Sequence, residues 1–438
     1  MAEIIARDAR MASTILKTLT DEERSQALQA VHDELRAHKA TILEANVIDM
    51  ENAAKNNLPA SLINRLDLSK GDKYDTMLQG VLDVAALEDP VGNVTLKTRL
   101  DDGLDLYRVT CPVGVLLIIF ESRPEVIANI TALAVKSGNA AILKGGKESL
   151  ATFTAMAKVV SDTLVRTAVP GKAIQLIATR DDVSSLLNQD KFIDLVIPRG
   201  SNELVRNIKD NTKIPVLGHA DGICSVYVDK DADVQKACKI AVDAKTNYPA
   251  GCNAAEQLLV HESLLDTQLP VIAEALITAG VTLHVTPIIK AHLPANEKIV
   301  DAVEGDFDKE FLSFDIAVDA MASAEDAMMH INVHSSKHTE AIITENEATA
   351  NKFLKGIDSA GIYWNASTRF ADGFRYGFGA EVGISTNKIH ARGPVGLEGL
   401  VGYQYQLRGN GQVAADYIGA GGSRQFIHEK IDVRGMRL

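Results

Sequence analysis

Cysteine is scarce: the 438-residue chain has four, at positions 111, 224, 238 and 252, with no CxxC pair and no histidine at ligand spacing beside them. That argues against a disulfide framework and against zinc, so no metal site is expected. Long apolar runs are also missing. The longest, "VGVLLIIF" at 113–120, falls far short of the roughly 20 residues that a membrane span needs. The amino-terminal "MAEIIARDARMASTILKTL" is a mixed-charge amphipathic stretch without an apolar signal core or an acid-free, Arg-rich transit composition, which points to the cytoplasm. Positive charge is in deficit, with 45 Lys and Arg against 58 Asp and Glu and a net charge of −13, and basic clusters are short. A nucleic-acid or anionic-membrane partner is not expected, although a local pocket of Arg and Lys remains compatible with an anionic substrate. The G-x-G-x-x-G dinucleotide fingerprint is absent after any predicted strand; "GFGAEVG" at 377–383 has the wrong spacing and context.

What is present is an ordinary globular composition, 46% hydrophobic and 24% charged, in a chain long enough for two or three domains. Residues 1–90 read as helices, with a Thr20/Asp21 start before "ERSQALQAVHDELRAHKATILEANVIDM". The segment "NVTLKTRLDDGLDLYRV" (93–109) carries two β-rich arms around Asp102-Gly103, a hairpin that is either a plain edge feature or an arm pairing with another subunit. From 113 onward apolar strands alternate with helical crossovers, the signature of a doubly wound parallel sheet covered on both faces. The alternation restarts near "CSVYVDKDADVQKACKIAVDAK" (224–245) as a second α/β domain. The division reads as 1–92 with 112–222 for a nucleotide-binding domain, 223–400 for a second domain, 93–111 with 401–412 for a β-arm, and 413–438 for a tail.

Several stretches carry candidate chemistry. "AAILKGGKES" (140–149) ends a strand in Lys144, Gly145, Gly146 and Lys147 and opens a helix, which suits either an anion site or a glycine-containing turn with solvated lysines. "VIPRGSNELV" (196–205) repeats that layout through Gly200 and Ser201, and two such turns at neighbouring strand ends favour a dinucleotide. In "FESRPEV" (120–126), Arg123 is either a bidentate clamp for a carboxylate or phosphate or a surface ion-pair partner of Glu121 or Glu125. "HINVHSSKHTEAI" (330–342) spaces His330, His334 and His338 for one helix face, yet its Ser-Ser-Lys and the β-like run after it read as a loop. "STNKIHARGPVGLEGL" (385–400) is an irregular loop carrying His390 and Arg392. Cys252 alone among the cysteines sits in a tight turn, "NYPAGCNAAEQLLVH" (247–261), where Gly251 and Asn253 expose backbone amides. Those amides suit an oxyanion hole, but no activating His or Lys lies beside it, so a nucleophile and an ordinary buried thiol both remain open.

Taken together, "CPVGVLLIIFESRPEV", "YPAGCNAAEQLLVH", "HINVHSSKHTEAI" and "GFGAEVGISTNKIHARGPVGLEGL" make the chain resemble, over nearly its whole length, the γ-glutamyl phosphate reductases (glutamate-5-semialdehyde dehydrogenases) of the aldehyde dehydrogenase superfamily. The resemblance implies an aldehyde-dehydrogenase-like α/β fold: two doubly wound domains, one for NADP and one catalytic, plus the hairpin as an oligomerisation arm. It implies Cys252 as nucleophile, with Ser122 and Asn253 completing the catalytic set and Ser122 standing where relatives place an oxyanion-hole asparagine. Lys144, Gly145, Gly146, Gly200, Ser201 and Glu310 fall on cofactor positions, and Lys147 suits the 2′-phosphate of NADPH. Arg123, Arg392 and His390 are assigned to the substrate, L-glutamyl 5-phosphate. Val216, in "VLGH", replaces the glutamate with which hydrolytic relatives activate water. A Cys252 thioester is therefore expected to be reduced to glutamate 5-semialdehyde, the second step of proline biosynthesis, in a homo-oligomer functionally associated with glutamate 5-kinase. The rivals are an NAD-dependent hydrolytic enzyme of the same fold and a non-catalytic nucleotide-binding scaffold.

Overall fold

The computed structural model describes residues 2–58, 60–121, 123–177, 180–417 and 422–438. The amino-terminal third is helical as expected: helices at Ala2–Leu16, Asp21–Ala37, Lys39–Lys55, Ala60–Leu66 and Lys73–Ala86 precede the first strand. Thr20 caps the second of these in a full capping box, its side chain accepting from the Glu23 amide while the Glu23 carboxylate accepts from the Thr20 amide.

The first parallel sheet is four-stranded, in the spatial order Ile174–Ile177, Ala140–Lys144, Val115–Phe120 and Leu195–Arg199. Its apolar run has a direct structural cause. Leu116, Ile118 and Phe120 enter one apolar cluster, and Val115, Leu117 and Ile119 enter the other. A strand buried on both faces has no polar alternation to show. From Val115–Phe120 the chain crosses to Ala140–Lys144 on one side and later returns with Leu195–Arg199 on the other. The carboxyl ends of these central strands are thus a topological switch point, where such sheets bind ligands.

The second sheet is seven-stranded, ordered Ile299–Asp301, Thr282–Val285, Asp315–Met321, Ala255–His261, Cys224–Val228, Thr339–Ile343 and Gly361–Trp364, with every pairing parallel. A third, antiparallel sheet orders Val401–Arg408, Leu104–Pro112, Val94–Asp101 and Glu429–Ile431. The hairpin turns at Gly103 with φ 69, the left-handed conformation that its Asp-Gly pair announces. The stretch 413–438, expected to be a separate tail, contributes a strand to this sheet. Among the described residues no helix is long and apolar enough to cross a membrane.

One interaction fixes the segment that matters most. Lys245, at the end of the helix Val234–Thr246, and Glu256, at the start of the strand Ala255–His261, are both fully buried, with Nζ and Oε2 2.6 Å apart. Burial pushes the Glu256 carboxyl up to about 7 and the Lys245 ammonium down, and the short contact opposes both shifts. The pair closes the loop 246–255 at its base. We expect Lys245→Met to destabilise the fold by about 3–5 kcal/mol by leaving Glu256 unpaired, and Lys245→Met/Glu256→Leu to recover most of that loss in urea unfolding. A double variant as unstable as the single one would show that the pair is not what holds the loop.

Candidate active site

Cys252 occupies the loop that this ion pair closes. Tyr248 turns the chain with φ 76, the Gly251 amide donates to the Tyr248 carbonyl at 3.1 Å, and the Ala254 amide donates to the Gly251 carbonyl at 2.8 Å. Asn253 fastens the loop: its Nδ2 donates to the Ala371 carbonyl at 2.9 Å and its carbonyl accepts from Thr368 Oγ1 at 2.7 Å. Cys224 donates its thiol proton to the Cys252 carbonyl at 3.4 Å. Among the described residues none accepts from the Cys252 amide, which leaves that N–H available to a developing oxyanion. The loop lies at the amino edge of the second sheet and faces groups from the carboxyl edge of the first.

Two carboxylates and two guanidiniums surround the thiol. Burial pushes its pKa up to about 12, the nearby Glu310 and Glu381 add to the rise, and Arg199 and Arg369 oppose it. Arg199 ends the strand Leu195–Arg199 of the first sheet and pairs with Glu381 at 3.6 Å. Glu381 also accepts from the Gly373 amide at 2.9 Å. Arg123 lies in the same cluster: burial lowers the Arg199 pKa, which Glu381 opposes and Arg123 reinforces, and burial raises that of Glu381, which Arg199 and, more weakly, Arg123 oppose. Arg369 packs so closely over the loop that a Cβ at residue 251 would lie 2.5 Å from its Nη1, and its buried Nε has no hydrogen-bond partner. A side chain there would push the Arg369 guanidinium away from the loop.

Two histidines complete the surroundings. Cys252 Sγ, a ring nitrogen of His219 and a ring nitrogen of His338 all lie within 4.8 Å of one another. His219 Nδ1 sits 3.1 Å from the Ile384 carbonyl, which only accepts, so Nδ1 carries the proton. Burial lowers the His219 pKa, which keeps the ring neutral and leaves a lone pair on Nε2. His338 is buried, with Nδ1 2.9 Å from Thr339 Oγ1 and Nε2 unpartnered. Its pKa is pushed well down, first by burial and then by His219.

The structure brings together some of the expected residues and not others. Cys252 and Glu310 converge, with the Gly222 backbone donating to Glu310, and Arg123 joins the cluster through Arg199 and Glu381. Gly200 and Ser201 form the expected turn and helix cap, Ser201 Oγ accepting from the Leu204 amide. That turn already holds an anion, for the Ser201 amide donates to Glu121 Oε2 at 3.2 Å. A Cβ on residue 200 would lie 2.6 Å from the same oxygen and displace that carboxylate, so the glycine allows its close approach. Lys144 ends its strand and donates to the Gly145 carbonyl, Gly146 caps the short helix Lys147–Ser149, and Lys147 is exposed. Arg392 is engaged elsewhere, by the Asp358 carboxylate at 3.4 Å and the Asp358 carbonyl at 3.0 Å, and His390 Nε2 lies 2.9 Å from the Gly399 carbonyl. Ser122 lies outside the described residues. Val216 packs against the apolar cluster of Val196, Ile208 and Ile214, with no acid in its place. The histidine run divides rather than forming a loop throughout: His330 and His334 share the helix Ala324–His334, and only His338 reaches the cysteine. His219, Arg199, Arg369 and Glu381 were not singled out from the sequence. His219 stood in plain view at the end of "VLGH", whereas nothing near Cys252 announces the other three.

Residues 1–292 match the aldehyde dehydrogenase family. The chain belongs to that family and, within it, to the gamma-glutamyl phosphate reductases. It is 60% identical to the Gamma-glutamyl phosphate reductase of Saccharomyces cerevisiae over 99% of both chains. The crystal structure of Gamma-glutamyl phosphate reductase from Thermotoga maritima is 38% identical and superposes with a TM-score of 0.91, covering 94% of this chain and 99% of that one. The fold also resembles that of an engineered glycolyl-CoA reductase with bound NADP+, 13% identical at a TM-score of 0.63 over 93% of this chain and 96% of that one. A nicotinamide cofactor and a small-molecule substrate go with the family.

The raised thiol pKa has a measurable consequence. In the absence of ligands, alkylation of Cys252 by iodoacetamide should accelerate about tenfold per pH unit from pH 7 to 10, because the thiolate fraction rises throughout that window. A plateau below pH 8 would mean that the thiolate is already formed in the free protein.

Proposed function

We propose that this chain is an NADPH-dependent reductase of L-glutamyl 5-phosphate that works through a Cys252 thioester and yields L-glutamate 5-semialdehyde and phosphate for proline synthesis. The observation that carries this reading is the convergence of Arg199 and Arg369 on one cysteine with an unpartnered backbone amide, with Arg123 beside Arg199. A neutral aldehyde needs no such charge; an acyl phosphate does.

The steps follow from the groups present. His219, neutral with a lone pair on Nε2, takes the thiol proton. Cys252 sulfur attacks the acyl carbon, the carbon–oxygen bond to phosphate breaks as the proton held by His219 passes to the departing oxygen, and the guanidiniums of Arg369 and Arg199 hold the hydrogen phosphate dianion so formed. The thioester then persists, because Val216 offers no base to water, while Glu381 is held by Arg199 and the Gly373 amide. A bound nicotinamide supplies the hydride. The Cys252 N–H holds the oxyanion of the resulting hemithioacetal until the carbon–sulfur bond breaks and the sulfur leaves as thiolate. Ser122 is the second oxyanion donor in this reading, with Asn253 setting the loop. Lys144, Gly145, Gly146, Gly200, Ser201 and Glu310 hold the dinucleotide, its phosphates displacing Glu121 from the Ser201 amide, and Lys147 selects the 2′-phosphate. Arg123 takes the substrate carboxylate; Arg392 and His390, tied to Asp358 and Gly399, brace the loop that lines the pocket.

The enzyme acts in the cytoplasm as a homo-oligomer and receives its labile substrate from glutamate 5-kinase. The arm supports assembly: Tyr403, Tyr405 and Leu407 on its edge strand are 60%, 58% and 58% exposed, an apolar row that a second copy would cover.

Run in reverse on pyrroline-5-carboxylate, which is in equilibrium with the semialdehyde, the enzyme should reduce NADP+ only when phosphate is present, and NAD+ poorly. Phosphate-independent turnover with glutamate as product would overturn the reading. Cys252→Ala should bind NADPH while losing several orders of magnitude in kcat. Arg369→Gln should lower kcat/KM for the acyl phosphate by about a hundredfold, as the loss of a charged contact to a phosphate does. Unchanged kinetics would remove Arg369 from the phosphate site.

A further inference from the structure

The thiol sulfur and the two ring nitrogens beside it form a ligand set as well as an acid–base set. The geometry points to a reversible divalent-metal site at His219, Cys252 and His338, selective for Zn²⁺, whose occupation takes the thiol out of use. One sulfur and two imidazole nitrogens within 4.8 Å of one another are the donors that Zn²⁺ prefers. With bonds of roughly 2.3 Å to sulfur and 2.0–2.1 Å to nitrogen, tetrahedral ligands stand about 3.3–3.6 Å apart, so closure needs movements of about 1 Å or less. The rings lie 5.1 Å apart between centroids with an 80° interplanar angle, so they do not stack and block a shared ion.

The second observation concerns the other nitrogen of each ring. His219 Nδ1 is bound to the Ile384 carbonyl and His338 Nδ1 to Thr339 Oγ1, the outer contacts that orient metal-binding imidazoles. Both rings therefore keep Nε2 for a further partner. His338, 1% exposed, has its Nε2 buried with none. A buried ring nitrogen without a partner is rare, and here it belongs to a residue grouped with a sulfur and a second imidazole. The surroundings suit a bound cation. On binding, the thiol proton goes to solvent and a metal–sulfur bond forms, and Glu310 and Glu381 balance the charge that Arg199 and Arg369 would otherwise oppose. Three protein ligands leave a fourth position for water, so the ion can enter and leave without unfolding the site.

Binding needs only the three side chains. The inhibition that follows rests on the proposed role of Cys252 as nucleophile, and separate readouts keep the two apart. Metal-free full-length protein titrated with Co²⁺ should show a sulfur-to-metal charge-transfer band and intense visible bands that saturate at one equivalent, and Zn²⁺ should displace them. Cys252→Ser should abolish the charge-transfer band. His338→Gln and His219→Gln, tested separately in case one fails to fold, should each weaken binding by about a hundredfold or more. Micromolar Zn²⁺ should also slow turnover and alkylation of the wild-type thiol, with both restored by a chelator. Binding that survives all three substitutions would place the ion on surface histidines and overturn the proposal, as would the absence of a charge-transfer band in the wild type. A band without any loss of turnover would keep the metal site and sink the nucleophile instead.

Discussion

The site depends on the buried contact between Lys245 and Glu256. It joins the last turn of a helix to the first residues of a strand, and the loop between them carries Cys252. The same carboxylate accepts from the Leu312 amide at 3.4 Å, and Lys245 lies 5.9 Å from the Phe311 ring, so the segment bearing Glu310 is tied to the same base. Two charges taken out of water are worth keeping only where their geometry is tightly held. Here that rigidity is passed to a backbone amide and a sulfur whose positions decide the chemistry.

From this base the site is assembled across two sheets. The second contributes the thiol, His338 and Glu310 at its amino edge; the first contributes Arg199, the Gly200-Ser201 turn and Arg123 at its carboxyl edge. Brought to one seam, they place two guanidiniums beside the thiol proposed as the nucleophile. The thiol itself is held uncharged by burial and by Glu310 and Glu381, and its activation is assigned to neutral His219.

Much of this was legible in the sequence because it is local. The helix start at Thr20, the Asp102-Gly103 turn and the run through Val115–Phe120 each carry their structural cause within a few residues, and each forms as expected. The turn at Cys252 was equally visible. Its environment was not, since Arg199, Arg369, Glu381 and His338 lie on separate elements and meet only through the stacking order of strands. The histidine run misled for a related reason: a helical spacing persists up to His334, but the helix stops there and the third ring is carried off by the next strand. Arg392 stood in a conspicuous loop and is spent on Asp358, a partner that no local pattern announces.

The contact between Glu121 and the Ser201 amide has one more consequence. The protein carries its own tethered anion at this helix start, the end to which the proposed function assigns a dinucleotide phosphate. Small anions from solution must compete with a ligand whose effective concentration never falls, so stray sulfate or carboxylate gains little by visiting. In the reading proposed above, a dinucleotide anchored at several points at once would evict the Glu121 carboxylate where a single small anion would not.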